Sequence, residues 1–158
     1  MKIGASAAAS REVEETLSQI IPKAKKPLGH ETADLALFFV TPHFSKDLPS
    51  MVETIREETQ ADTLIGCTAE GVLGPEGEFE RIPAASLWLA HLPDVKIQAY
   101  YLNQPALEAC REKSHWLDLF QIQDAENTSM IFLGDPLSIK PTILLEGLNQ
   151  YLPGLSVM

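Results

Sequence analysis

Long hydrophobic runs, basic clusters and a cysteine framework are what this sequence has least of, and each shortage removes a class of function. The longest apolar stretches, LALFFV (35–40) and ASLWLAHL (85–92), fall well short of the roughly 20 residues that a membrane-spanning helix needs. Lys and Arg total 12 against 22 Asp and Glu, a net charge of −10, and such a surface repels nucleic acid phosphates. The one basic run, KAKK (23–26), ends an expected helix, where cations suit the negative end of the dipole. Cys67 and Cys110 sit in different contexts and form no disulfide framework, which points to a reducing compartment, the cytoplasm. The N-terminal MKIGASAAAS lacks the apolar core of a secretion signal.

What is present is a chain of 158 residues, 45% of them apolar, enough for a single domain over 1–158 with a real core. No internal repeat interrupts it. KIGASA (2–7) reads as a strand, followed by a helix capped by Ser10, with Val13, Leu17, Ile20 and Ile21 on one face and a frayed end at Pro22. ADLALFFV (33–40) reads as a strand buried on both faces. Asp47 and Pro49 begin a second helix with Leu48, Met51, Val52 and Ile55 inward, and TLIGCT (63–68) is the third strand.

This βαβαβ opening implies a mostly parallel core. The rhythm then changes. A GPEG turn (74–77), EFERIPAASLWLAHL, a Pro-Asp turn and VKIQAYYL (95–102) predict an antiparallel meander. Asn103 and Pro105 open a third helix carrying Leu107, Cys110, Leu117 and Phe120, NTSMIFLGD is a strand ending in a Gly-Asp-Pro turn, and TILLEGLNQYLPG is a fourth helix. LSVM (155–158) begins a further strand, completing a closing βαβ unit. The expected fold class is mixed α/β. The stop so soon into that strand suggests the N-terminal portion of a longer protein.

The chemistry concentrates in TLIGCTAEGVLGPEGEFE (63–80), for which three readings compete. A nucleophilic Cys67 needs a lowered pKa, from a helix N-terminus, a cation or a histidine. The TAEGVLGPEG that follows cannot be a helix, Glu70 raises a thiol pKa, and His30, His43, His91 and His115 lie on other elements. Cys67 is therefore expected to be a small buried residue at a strand end, with no catalytic group assigned. A phosphate loop lacks its pattern, and no spacing of His and Cys suits a metal.

The second reading is a backbone cradle. Gly66 and Gly71 permit close approach, Thr68 offers a hydroxyl, and Glu70 offers a carboxylate for a ligand ammonium group. The third is a plain glycine-rich connection with a solvated Glu70. The residues alone weigh these two equally.

Several segments carry a resemblance: ADLALFFVTPHFS, LIGCTAEGVLG followed by GEFERIPAASLWLAHLP, and later FLGDPLS and LLEGLNQYLPG. In order and spacing they resemble the N-terminal part of the FIST family, sensory domains of prokaryotic signal transduction and of some eukaryotic F-box proteins. The resemblance implies an intracellular sensor of a small ligand, with amino acids the proposed class, and neither enzymatic activity nor a cofactor. Its loop falls on Gly66, Cys67, Thr68, Ala69, Glu70 and Gly71, and His43, at a neighbouring strand end, joins them as a candidate from position. Family members continue into a C-terminal FIST domain, so that domain or an output signalling domain is the expected partner. The rival functions are a thiol-dependent hydrolase or amidase with Cys67 as nucleophile, and a protein–protein interaction module built on the meander.

Overall fold

The structure is a computed structural model that describes every residue except Pro136. The chain forms two compact units, Met1–Ala99 and Tyr100–Met158. The first contains β1 (Lys2–Ala9), α1 (Val13–Lys25), β2 (Leu35–Val40), a 3-10 turn at Pro42–Phe44, α2 (Leu48–Thr59), β3 (Thr63–Thr68), the hairpin β4 (Gly71–Gly74) and β5 (Gly77–Glu80), and β6 (Ala84–His91).

Four of these strands form one mixed sheet in the order β1-β6-β2-β3. β2 and β3 are parallel, and β6 runs antiparallel to both β1 and β2. The order β1, β2, β3 never reverses, so crossovers of one hand lay α1 and α2 on the same face. That face holds the core. Leu17, Ile20, Ile21 and Ala24 of α1 and Met51 and Ile55 of α2 pack on Ala36, Phe38, Val40, Leu87 and Leu89.

The apolar stripe on α1 appears where its spacing placed it, but Pro22 lies inside the helix, which continues to Lys25 because Ile21 and Ala24 anchor the last turn in the core. Ser10 stands outside the cap position. Its hydroxyl accepts from the Glu12 N–H at 3.1 Å and donates to Glu15 at 2.6 Å.

Within the first unit, no helix of the described residues covers the other face, and the half-buried side chains there correct the reading of β2 as buried on both sides. Ala36, Phe38 and Val40 are buried, whereas Leu37 and Phe39 are only half-buried. The β4–β5 hairpin lies on this open face. Gly74 presses on Ala7 so closely that a Cβ would collide with it.

At the hairpin tip, Glu76 reaches β1. Its carboxylate accepts from the Ala7 N–H at 2.7 Å and the Ser6 hydroxyl at 2.8 Å, and Lys23 lies 3.4 Å away. Partial burial raises the Glu76 pKa, but these donors outweigh it and hold the carboxyl below its ordinary value. β1 is an edge strand, and Glu76 satisfies one of its outward N–H groups.

The expected meander reduces to the β4–β5 hairpin, because β6 pairs with β1 and β2 in the main sheet and not with β5. Arg81, with φ of 60°, and Pro83 separate β5 from β6, and residues 95–102 form no strand. Both edges of β6 are already taken, by β1 and β2, so a following strand has nothing there to pair with. Instead Val95 N–H bonds back to Leu92 C=O at 3.2 Å and Asp94 takes a φ of 70°.

The second unit contains α3 (Gln104–Ala109), α4 (Lys113–Phe120), β7 (Ser129–Met130), α5 (Pro141–Tyr151) and β8 (Ser156–Val157). Asn103 caps α3 by accepting from the Ala106 N–H at 2.9 Å. The expected single helix is broken after Ala109. Side chains take both backbone groups of Arg111: its N–H donates to His115 Nδ1 at 3.2 Å and its carbonyl accepts from the Tyr151 hydroxyl at 3.0 Å.

Trp116, only 2% exposed, stacks on Tyr151 and leans on Phe120, with Leu107, Leu144, Leu148 and Leu152 completing the core. β7 and β8 are parallel and flank α5, as the closing βαβ required. Pro136 of the expected Gly-Asp-Pro turn lies outside the described residues. Beside it, Asp135 accepts from the Leu137 N–H at 3.0 Å and from the Ser138 hydroxyl.

Candidate functional site

The parallel pair β2 and β3 ends at one edge of the sheet, and the expected site residues gather there. Val40 is the register partner of Thr68, and the Ala69 N–H donates to the Val40 carbonyl at 2.9 Å. The segments Thr41–His43 and Ala69–Gly71 therefore leave the sheet side by side, at the carboxyl ends where open α/β sheets place ligands.

Thr41 fixes this edge. Fully buried, it donates its N–H to the Ala84 carbonyl at 2.9 Å, and its hydroxyl accepts from the Ala84 N–H at 3.0 Å. The His43 Nδ1 lies 3.2 Å from the same hydroxyl, with the imidazole exposed. The sequence reading singled out His43 and passed over the threonine that positions it.

On the neighbouring strand, Gly66, Cys67, Thr68 and Glu70 are exposed, and Ala69 and Gly71 are half-buried. Gly66 is required by packing, since a Cβ there would collide with the Phe38 carbonyl oxygen. Among the described residues Glu70 has no hydrogen-bond or ion-pair partner, which leaves its carboxylate open to a ligand cation. Glu76, five or more residues beyond the loop, is instead engaged with β1.

Cys67 departs from expectation: it is exposed, not buried, because β3 is the outer strand of its sheet. Residual desolvation nonetheless raises the thiol pKa, the opposite of what a nucleophile needs. Cys110 is raised by the same cause.

The sequence reading missed a second feature on the helix-free face. A shallow cavity of about 220 Å³ is lined by Ala5, Leu37, Phe39, Ser86, Trp88 and Leu73 of the hairpin. It is nearly all apolar, with the Ser86 hydroxyl among its polar groups. Phe39 is the register partner of Cys67, and Leu73 follows two residues after Gly71, so the cavity adjoins residues 66–71, although none of these lines it. The available signal was the i, i+2 spacing of Leu37 with Phe39 and of Ser86 with Trp88, which puts each pair on one side of its strand.

Among the described residues, no helix is long and apolar enough to cross a membrane. The chain matches the FIST N domain over residues 34–158. It is also similar to two uncharacterized proteins of Mycobacterium tuberculosis, MT0656 of strain CDC 1551 and Rv0628c of strain H37Rv. Each is 24% identical over 159 residues, covering 100% of this chain and 40% of the relative. The chain thus spans about two fifths of the length of the curated relatives it matches. No solved structure matches it.

Proposed function

Because the chain belongs to the FIST family of sensory signal-transduction domains, we propose that it is a cytoplasmic sensor module that binds a small polar ligand, an amino acid, at residues 66–71 with His43 beside them. The observation that carries this reading is the convergence of the two segments at one edge of the sheet. In it, the Glu70 carboxylate takes the ligand's ammonium group. Backbone N–H groups of the loop take its carboxylate, and Thr68 and His43 supply further polar contacts. In this reading Cys67 is part of the wall, and its raised pKa weighs against a thiol hydrolase or amidase. In the whole protein the signal passes to a C-terminal FIST domain or an output domain.

A thermal-shift screen of the natural amino acids against the full-length protein tests this. At a hundredfold excess over Kd a ligand stabilises by about 2.7 kcal/mol, which is readily seen as a rise in Tm. The expected result is stabilisation by one or a few amino acids that is lost in Glu70→Gln. A rise that persists unchanged in that variant removes the site.

A further inference from the structure

The cavity under the hairpin bears on which ligands the loop accepts. Its floor is Ala5, Leu37, Phe39 and Trp88 of three adjacent strands, and Leu73 of β4 forms the side next to the loop. β1 contributes small side chains along this face, Ala5 and Ala7, and the hairpin is held over them by Glu76. A concavity is left where larger residues would have filled it.

At about 220 Å³ the cavity is below the roughly 300–1,000 Å³ of sites for drug-sized ligands. A nucleotide or flavin does not fit it; one side chain does. No charged residue lines it; of its two hydroxyls, Ser6 donates to Glu76 and Ser86 has among the described residues no side-chain partner of its own. Two carboxylates flank Leu73, each three residues away along the chain: Glu76, held by Ala7 and Ser6, and Glu70, which has among the described residues no partner. Polar and apolar parts of the site are thus segregated: charge at the loop, hydrocarbon and aromatic surface under the hairpin.

We propose that this cavity is the side-chain subsite of the loop at 66–71, and that the ligand is an amino acid with an apolar side chain of the size of leucine or phenylalanine. The inference rests on the ligand reading of the loop and adds the class of side chain. It also assigns the hairpin a role: Leu73 is 73% exposed, a large apolar side chain at the cavity rim that becomes covered when a ligand side chain packs beneath it.

Isothermal titration of the full-length protein with leucine, phenylalanine, alanine and aspartate tests the subsite. Each additional buried CH2 tightens binding by about fourfold when fully covered. In an open groove, leucine should exceed alanine by about tenfold, and aspartate should bind no better than alanine. Ala5→Leu, which fills the cavity from its floor, and Leu73→Asp, which removes its apolar rim, should each abolish that preference. Leu73→Asp changes an exposed side chain, so it keeps the test open if Ala5→Leu fails to fold.

Equal binding of leucine and alanine, or a preference that survives both variants, overturns the subsite. The ligand reading of the loop then still stands, provided Glu70→Gln weakens binding. If none of the four amino acids binds, the subsite falls, and the ligand reading is decided by the screen of all the natural amino acids.

Discussion

Glu76, at the tip of the β4–β5 hairpin, accepts the backbone N–H of Ala7 at 2.7 Å, and this one contact ties the hairpin to the exposed edge of the main sheet. The Ser6 hydroxyl and the Lys23 ammonium complete the tie. Nearly seventy residues of sequence separate the partners. The contact holds a glycine-rich connection so that its Leu73 forms the rim of a shallow cavity beside residues 66–71.

Loss of that carboxylate charge should loosen the hairpin. Glu76→Gln is expected to cost about 1–2 kcal/mol, the range for hydrogen bonds to a charged group at a partly exposed site. Because the folded-state pKa is lowered, the ionised side chain contributes fully above the ordinary glutamate value of about 4.3. That contribution is lost as pH falls through the lower folded-state value. Urea unfolding at several pH values checks both points: the gap between wild type and Glu76→Gln should shrink on acidification, and a constant gap would contradict the assignment.

Thr41 should matter more for stability than its place in a loop suggests. In Thr41→Val the Ala84 N–H loses a buried acceptor, a loss of about 1–3 kcal/mol, whereas Thr41→Ser retains the oxygen and should cost less than about 1 kcal/mol. Chemical denaturation of both variants distinguishes a hydrogen-bonding role from simple volume.

Cys67 should behave as an accessible but unactivated thiol. Its alkylation by iodoacetamide should rise with pH through a midpoint above the ordinary thiol value of about 8.5, in keeping with the raised pKa. A rate already saturated at pH 7 would restore the hydrolase reading.

In the second unit, Gly147 lies against the Trp116 ring, where a Cβ would overlap the indole carbons. Gly147→Ala should overpack this core, at a cost of about 1–3 kcal/mol, and change the fluorescence of Trp116. An unchanged spectrum and stability would show that the α4–α5 packing is looser than this contact implies.

Local pattern made the first half of the fold readable. The apolar spacing of α1 and α2, the continuous run of β2 and the glycines around Pro75 each specify an element by themselves. The expected loop at 66–71 is instead mostly strand: Gly66–Thr68 end β3, Gly71 begins β4, and only Ala69 and Glu70 lie between them. What escaped the sequence was pairing. That β6 inserts between β1 and β2, leaving residues 95–102 without an edge, depends on contacts across some eighty residues. For the same reason β2 looked covered on both sides. Its composition suits burial, yet both helices lie on one face, and that follows from strand order. Cys67 was misjudged because nothing local says that β3 is the outer strand. That Ser86 and Trp88 line a cavity likewise depends on where the hairpin lies, which no local pattern specifies.

The most direct test of the central claim is an amide chemical-shift map of the full-length protein titrated with leucine. The account predicts that the largest shifts fall on Gly66–Gly71 and Thr41–His43, with weaker ones on Leu73 and Ser86–Trp88, and that Glu70→Gln suppresses all of them together. Saturable shifts centred elsewhere, or the same pattern undiminished in Glu70→Gln, would contradict it.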